Sequence, residues 1–107
     1  MTQYKVTATV KETRGICPLY KPGDKIFFES FYMKSKESKD LCIHAFASMT
    51  TLLSAFLHGT SAKDLGIGVE PDIGYVQCPD PGPPCTKGGT VIFELKREAK
   101  ALGVNSY

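Results

Sequence analysis

Four cysteines, Cys17, Cys42, Cys78 and Cys85, are the residues whose type and placement could do chemistry in this 107-residue chain. Together their thiolates could close the coordination of one soft metal site, an iron–sulfur cluster or a tetrahedral zinc ion. Cys17 and Cys78 each open a Cys-Pro step, and a proline follows a ligand cysteine in bacterial ferredoxin runs. No Cys-x-x-Cys pair is present, so the tertiary fold would have to gather the ligands. Two further readings fit the same residues. One is a thiol-based redox protein or small enzyme working through Cys42, where a helix start favours negative charge on sulfur, or through the Cys78 and Cys85 pair. The other treats the cysteines as small packing hydrophobes of a metal-free interaction domain.

No other set of side chains points to chemistry as strongly. His44 and His58 stand fourteen residues apart on one expected helix, nearly four turns from each other, and cannot share an ion. A Cys–His catalytic pair at His44 would need its partner from another element. Gly66-Ile67-Gly68 lacks the strand–loop–helix context of a phosphate cradle and reads as a turn. Asp80, between two prolines, is suited to bonding its own loop backbone. Glu70, Asp72 and Asp80 have no spacing that argues for paired acid–base work.

The cysteines must be positioned by a short series of elements. Tyr4, Val6, Ala8 and Val10 alternate with Lys5, Thr7, Thr9 and Lys11, the period of a half-buried strand. Arg14-Gly15-Ile16-Cys17-Pro18 breaks that pattern, and Pro22-Gly23-Asp24 is a turn signal. Lys25 to Tyr32 reads as a second strand, with Phe27, Phe28, Phe31 and Tyr32 spread over both faces. The outward half of those aromatics is a candidate partner-binding patch. Asp40 is a suitable N-cap for a helix over Leu41 to His58, stopped by Gly59. Cys42, Ala45, Phe46, Met49, Leu52, Leu53 and Phe56 form its apolar stripe. One helical turn fits Ser61 to Leu65, and Ile73 to Gln77 is a short strand. The proline-rich run from Cys78 to Cys85 is stiff and non-helical. Thr90 to Leu95 is the last strand, with a further helical turn expected over Glu98 to Leu102.

This order, strand-strand-helix-strand-strand, predicts an α+β fold: a small antiparallel sheet of about four strands packed by one long helix. Residues 1–97 form a single domain and residues 98–107 a C-terminal tail. If the helix lies antiparallel along the sheet, its N-terminus reaches the end where the cysteine loops gather.

Composition narrows the function. Thirteen Lys and Arg against eleven Asp and Glu leave a formal charge of +2. Lys34, Lys36 and Lys39 are interrupted by Glu37 and Asp40, so no concentrated basic face speaks for nucleic acid. The most apolar segment, Leu41 to Leu57, carries His44, Ser48, Thr50, Thr51 and Ser54, which suits a core helix and not a membrane span. The N-terminus has no apolar h-region, so a cytoplasmic chain is expected. Spaced cysteines in that reducing setting favour metal binding or catalysis over a disulfide framework.

Several pieces match as a set: Gly15-Ile16-Cys17-Pro18 leading to Gly23-Asp24, Leu41-Cys42 opening a helix that ends at Gly59, Cys78-Pro79-Asp80-Pro81, and Val91-Ile92-Phe93-Glu94-Leu95. With them the chain resembles a family of short, uncharacterised stand-alone proteins of anaerobic bacteria and archaea. Cys17, Cys42 and Cys78 fall on that pattern's cysteine positions, and Cys85 lies in a longer stretch before the last strand. The resemblance implies an anaerobe's cytosol and a joint role for three cysteines, and it tips the metal from zinc to iron–sulfur. The expectation is therefore an iron–sulfur protein with Cys17, Cys42, Cys78 and Cys85 as ligands and zinc as runner-up. It would act as an accessory or small subunit of a larger protein partner, passing electrons or holding structure. A chain this small has little room for a substrate pocket beside a cluster, so it is not expected to be an enzyme by itself.

Overall fold

Val6, Ala8 and Val10 turn to one side of strand β1 (Tyr4–Gly15) and are buried there. The computed structural model describes residues 3–100, and within them four further strands pair with β1 directly or through a neighbour. These are β2 (Lys25–Glu29), β3 (Tyr32–Met33), β4 (Ile73–Gln77) and β5 (Gly89–Ala99). The sheet is open and antiparallel, in the order β3-β2-β1-β5-β4. Helices α1 (Ile43–Leu57) and α2 (Ala62–Leu65) lie between β3 and β4 in the chain. The α+β class and the antiparallel sheet follow the sequence pattern. There are five strands where about four were expected and two helices where one long helix was expected, so the element order also differs.

One face of α1 buries Ala45, Met49, Leu53, Phe56 and Leu57. It covers the inward residues of the sheet: Val6, Ala8, Val10, Ile26, Phe28, Val76, Val91, Phe93 and Leu95. Truncating a fully buried aromatic of this layer, Phe56 or Phe93, costs about 3–5 kcal/mol by lost burial and the cavity left behind.

The departures from the expected elements have local causes. The strand expected over Lys25 to Tyr32 folds back on itself at Ser30, which takes a positive φ of 51°. Buried Ser30 donates its N–H to the Tyr4 carbonyl and its hydroxyl to Gln3 Oε1. Tyr32 and Met33 then return opposite Glu29 and Phe28 as β3. At the other end of the chain, strand continues through Ala99, so Glu98 and Ala99 are not in the expected helical turn. Lys100 is not helical either, and positions 101 and 102 of that expected turn lie outside the described residues. The inward alternation Val91, Phe93, Leu95 simply runs on to Arg97, which is buried at 7 % exposure.

Arg97 fastens the far end of α1. Its guanidinium donates to the carbonyls of Phe56 at 2.8 Å and Thr60 at 2.9 Å and to Asp72 Oδ1 at 3.0 Å. It also lies over the rings of Tyr4 and Phe56. The last carbonyls of a helix have no partner within the helix, and here a buried side chain of the sheet supplies one.

Antiparallel pairing places the C-terminal ends of β1 and β4 and the start of β5 at one end of the sheet. Gly15 and Gly89 are opposite each other there, and a side chain on Gly89 would collide with the Arg14 carbonyl and the Ile16 amide. Two glycines thus let β1 and β5 stay in close contact up to the loop that carries Cys17. The Ser48 hydroxyl reaches the Gln77 carbonyl at 3.1 Å, tying the first turns of α1 to the residue before Cys78.

Candidate functional site

Each Cys-Pro step folds an amide back onto its own sulfur. Proline has no N–H and a fixed φ, so the first donors come from the residues that follow it. The Tyr20 amide donates to Cys17 Sγ and the Asp80 amide to Cys78 Sγ, each at 3.4 Å. Amide donors directed at sulfur are among the features that tune cysteine-bound clusters.

Cys42 reaches the same end of the sheet by another route. The expected N-cap, Asp40, and the expected first helical residue, Leu41, both lie outside α1, whose N-cap is Cys42 in extended conformation at ψ 125°. The reason is Tyr20. Its buried phenol donates to the Asp40 carbonyl at 2.8 Å and accepts the Cys42 amide at 2.7 Å. A side chain from the β1–β2 loop therefore ties the Asp40 carbonyl to the amide of the extended Cys42. Burial raises the Tyr20 pKa, and the charges of Cys42, Cys17 and Asp24 push the same way, against the opposing Cys42 amide bond. The phenol stays protonated and keeps its donor.

The loop after β4 is held by Asp80. Its Oδ1 accepts the Gly82 amide at 2.8 Å and the Thr86 hydroxyl, as expected of a residue that bonds its own loop. Its pKa is lowered by the Thr86 hydrogen bond first and the Gly82 amide second, with burial opposing and the charge of His44 adding to the lowering. Gly88 is required opposite this carboxylate, since a side chain there would strike Asp80 Oδ2.

These three pieces line one cleft of about 430 Å³. Cys17, Cys42 and Cys78 all face it, together with Leu19, His44 and Asp80. Cys78 is buried at 9 % exposure and Cys17 and Cys42 are half-buried. Cys85 is exposed and does not line the cleft. The structure therefore brings together three of the four candidate ligands, from three different elements, and leaves the fourth on the outside of the loop. All four are free thiols.

The fit of a metal depends on its kind. Among the described residues no three His, Cys, Asp or Glu side chains are gathered tightly enough to hold one ion. Tetrahedral zinc needs every sulfur about 2.3 Å from a single point, and the thiols as placed do not offer that. A water occupies about 30 Å³ of liquid, so the cleft has room for on the order of ten, far more than one ion fills. A cluster distributes its cysteines over several iron atoms. Three thiols line the cleft, two of them with amide donors on sulfur.

Two residues of this arrangement carry weight that the sequence reading did not assign. Tyr20 stands three residues after Cys17, and only the fold brings its phenol to Cys42. His44 lines the same cleft as Cys17, Cys78 and Asp80. His58, by contrast, caps the other end of α1, its Nδ1 2.7 Å from the Ser54 carbonyl.

A second, shallower hollow of about 220 Å³ lies between α1 and the β2–β3 hairpin, lined by apolar residues including Phe28, Phe31, Tyr32, Leu41 and Phe46. Phe28 is core and Phe46 stacks on it, whereas Phe31 and Tyr32 stand exposed at the rim. Among the described residues no helix is long and apolar enough to cross a membrane. Compared with known proteins, the chain matches no family model, no curated protein and no solved structure.

Proposed function

We propose that this protein is a small iron–sulfur module whose cluster is held in the cleft by Cys17, Cys42 and Cys78, and that it serves as an accessory or small subunit of a larger enzyme. The observation that carries this reading is the meeting of three thiols from three separate elements on one cleft of cluster-compatible size. Backbone amides donate to the sulfurs of Cys17 and Cys78, and Cys42 stands at the N-terminus of α1 with no side-chain cap. The resemblance to proteins of anaerobes supports iron and sulfide over zinc. A bound cluster would supply one-electron chemistry or a structural brace. The chain's own residues hold the sulfurs apart, partly exclude water with Leu19 and the two prolines, and keep the Cys17 and Cys42 segments in register through Tyr20. The exposed Phe31 and Tyr32 favour a protein partner.

The test is anaerobic purification and reconstitution with iron and sulfide, followed by a visible spectrum and metal analysis of the wild type and four single Cys→Ser variants. Stoichiometric iron and sulfide, lost in C17S, C42S and C78S and retained in C85S, is the expected result. Stoichiometric zinc with no iron, or no metal at all, overturns it. In the latter case a single thiol whose loss abolishes reactivity would point to the redox alternative.

A further inference from the structure

Residues 40–42 stand between two competing sets of partners. The Tyr20 phenol holds the Asp40 carbonyl at 2.8 Å and the Cys42 amide at 2.7 Å, and α1 begins only after Cys42. That start leaves the helix poorly finished. Its N-cap makes no side-chain hydrogen bond and its first turn holds no acidic residue. The amides of Ile43, His44 and Ala45 have no partner among the described residues. The Asp40 carboxylate is exposed and makes neither a hydrogen bond nor an ion pair with any described residue. Starting the same helix at Leu41 supplies most of the missing partners. The carbonyls of Asp40 and Leu41 would then accept the amides of His44 and Ala45 in the ordinary helical ladder. Asp40, as N-cap, would take the Cys42 or Ile43 amide on its carboxylate and set its charge against the helix dipole. Tyr20 opposes this start, because its ring is buried at 5 % exposure and its hydroxyl would lose both partners there. We infer that residues 40–42 form a two-state segment, either tied to Tyr20 with Cys42 extended or joined to α1 as a first turn capped by Asp40. The tied state is the one observed, and the second is populated on the order of 1 % in the wild type. The change acts on the cleft. Cys42 has ψ 125° in the tied state, against about −42° in a helix, so its thiol is redirected while Cys17 and Cys78, on other elements, stay. An occupant that engages the Cys42 thiol in its present place binds the tied state alone, and its release lengthens α1. The inference holds whatever that occupant is.

The test reads backbone carbon chemical shifts of residues 40–45 by nuclear magnetic resonance in the full chain without added metal. Wild type, Tyr20→Phe and the double variant Tyr20→Phe, Asp40→Ala are compared. The wild type should show extended shifts at Leu41 and Cys42. In Y20F, which no longer buries a hydroxyl without partners, both should move to helical values. The double variant should lose part of that helical shift, because its cap is gone. Extended shifts retained in a folded Y20F, or helical shifts there that do not depend on Asp40, overturn the inference. If Y20F does not fold, the wild type decides. Relaxation dispersion at residues 41–45 should report exchange with a minor state of helical shifts, and that exchange should weaken in D40A. A wild type without such exchange has a single state at this segment, and the inference falls.

Discussion

The phenol of Tyr20 accepts the backbone amide of Cys42 at 2.7 Å, while the amide of Tyr20 donates to the sulfur of Cys17 at 3.4 Å. One residue thus fixes two of the three cleft cysteines relative to each other. Its ring stands edge-on to the core ring of Phe93, with centroids 5.5 Å apart, so the tie is anchored in β5, the neighbour of the central strand.

Tyr20→Phe removes this tie and leaves the Cys42 amide and the Asp40 carbonyl without their partner. A loss of about 1–3 kcal/mol is expected from the abandoned polar groups, read by urea denaturation. The pH dependence has a definite sign. The folded-state pKa of Tyr20 is raised, so its contribution is fully present below the ordinary phenol pKa of about 10 and is lost as pH rises through the folded value. Wild-type stability should therefore fall on the alkaline side of pH 10 more steeply than that of Tyr20→Phe. Parallel curves would show that the phenol contributes nothing to the alkaline loss.

The metal-free protein should distinguish its thiols by rate. Cys85 is exposed, Cys17 and Cys42 are half-buried, and Cys78 is buried. Pulse alkylation followed by peptide mass spectrometry should label Cys85 first and Cys78 last, with Cys78 reaching full labelling only in denaturant. Early labelling of Cys78 would mean that the loop after β4 opens readily and does not hold the cleft.

Arg97→Met should be the most damaging change outside the apolar core. It removes the donor to the Phe56 and Thr60 carbonyls and leaves Asp72 without its ion pair. About 3 kcal/mol is expected, chiefly from carbonyls left without a partner. Asp72 itself is well exposed and loses little. Arg97→Lys should recover only part of this, since a single ammonium cannot reproduce the guanidinium fork. Thermal unfolding of the three proteins checks the order.

Strands β1 and β4 and the body of α1 were legible because their burial is one-sided and periodic, and the turn at Ser61–Leu65 because Ser61 caps it, accepting the Asp64 amide. The β2–β3 hairpin was not, because Phe28, Phe31 and Tyr32 read as one aromatic strand and nothing local marks Ser30 for a positive φ. The helix start was displaced by a phenol twenty residues away, a tertiary effect that no local capping rule contains. Arg97 could have been found, since it continues the inward parity of Val91, Phe93 and Leu95, but an arginine reads as surface until its carbonyl partners are placed. The shared cleft was approachable from topology, as the ends of β1 and β4 and the start of α1 belong together. The exclusion of Cys85 depends on how Asp80 folds its own loop.

The pairing of Tyr4 with Ala99 and Gly15 with Gly89 makes the two ends of the described chain the middle of its sheet. Contacts this remote in sequence close slowly and close last. On a ribosome Cys17, Cys42 and Cys78 are all made before β5 exists, and a nascent chain lacking that strand has only part of the surface on which α1 lies. The three thiols therefore leave the ribosome as unguarded side chains, and the cleft comes into being only when the final strand slots between β1 and β4. A chain truncated before β5 would carry all three cleft cysteines and still lack the completed cleft.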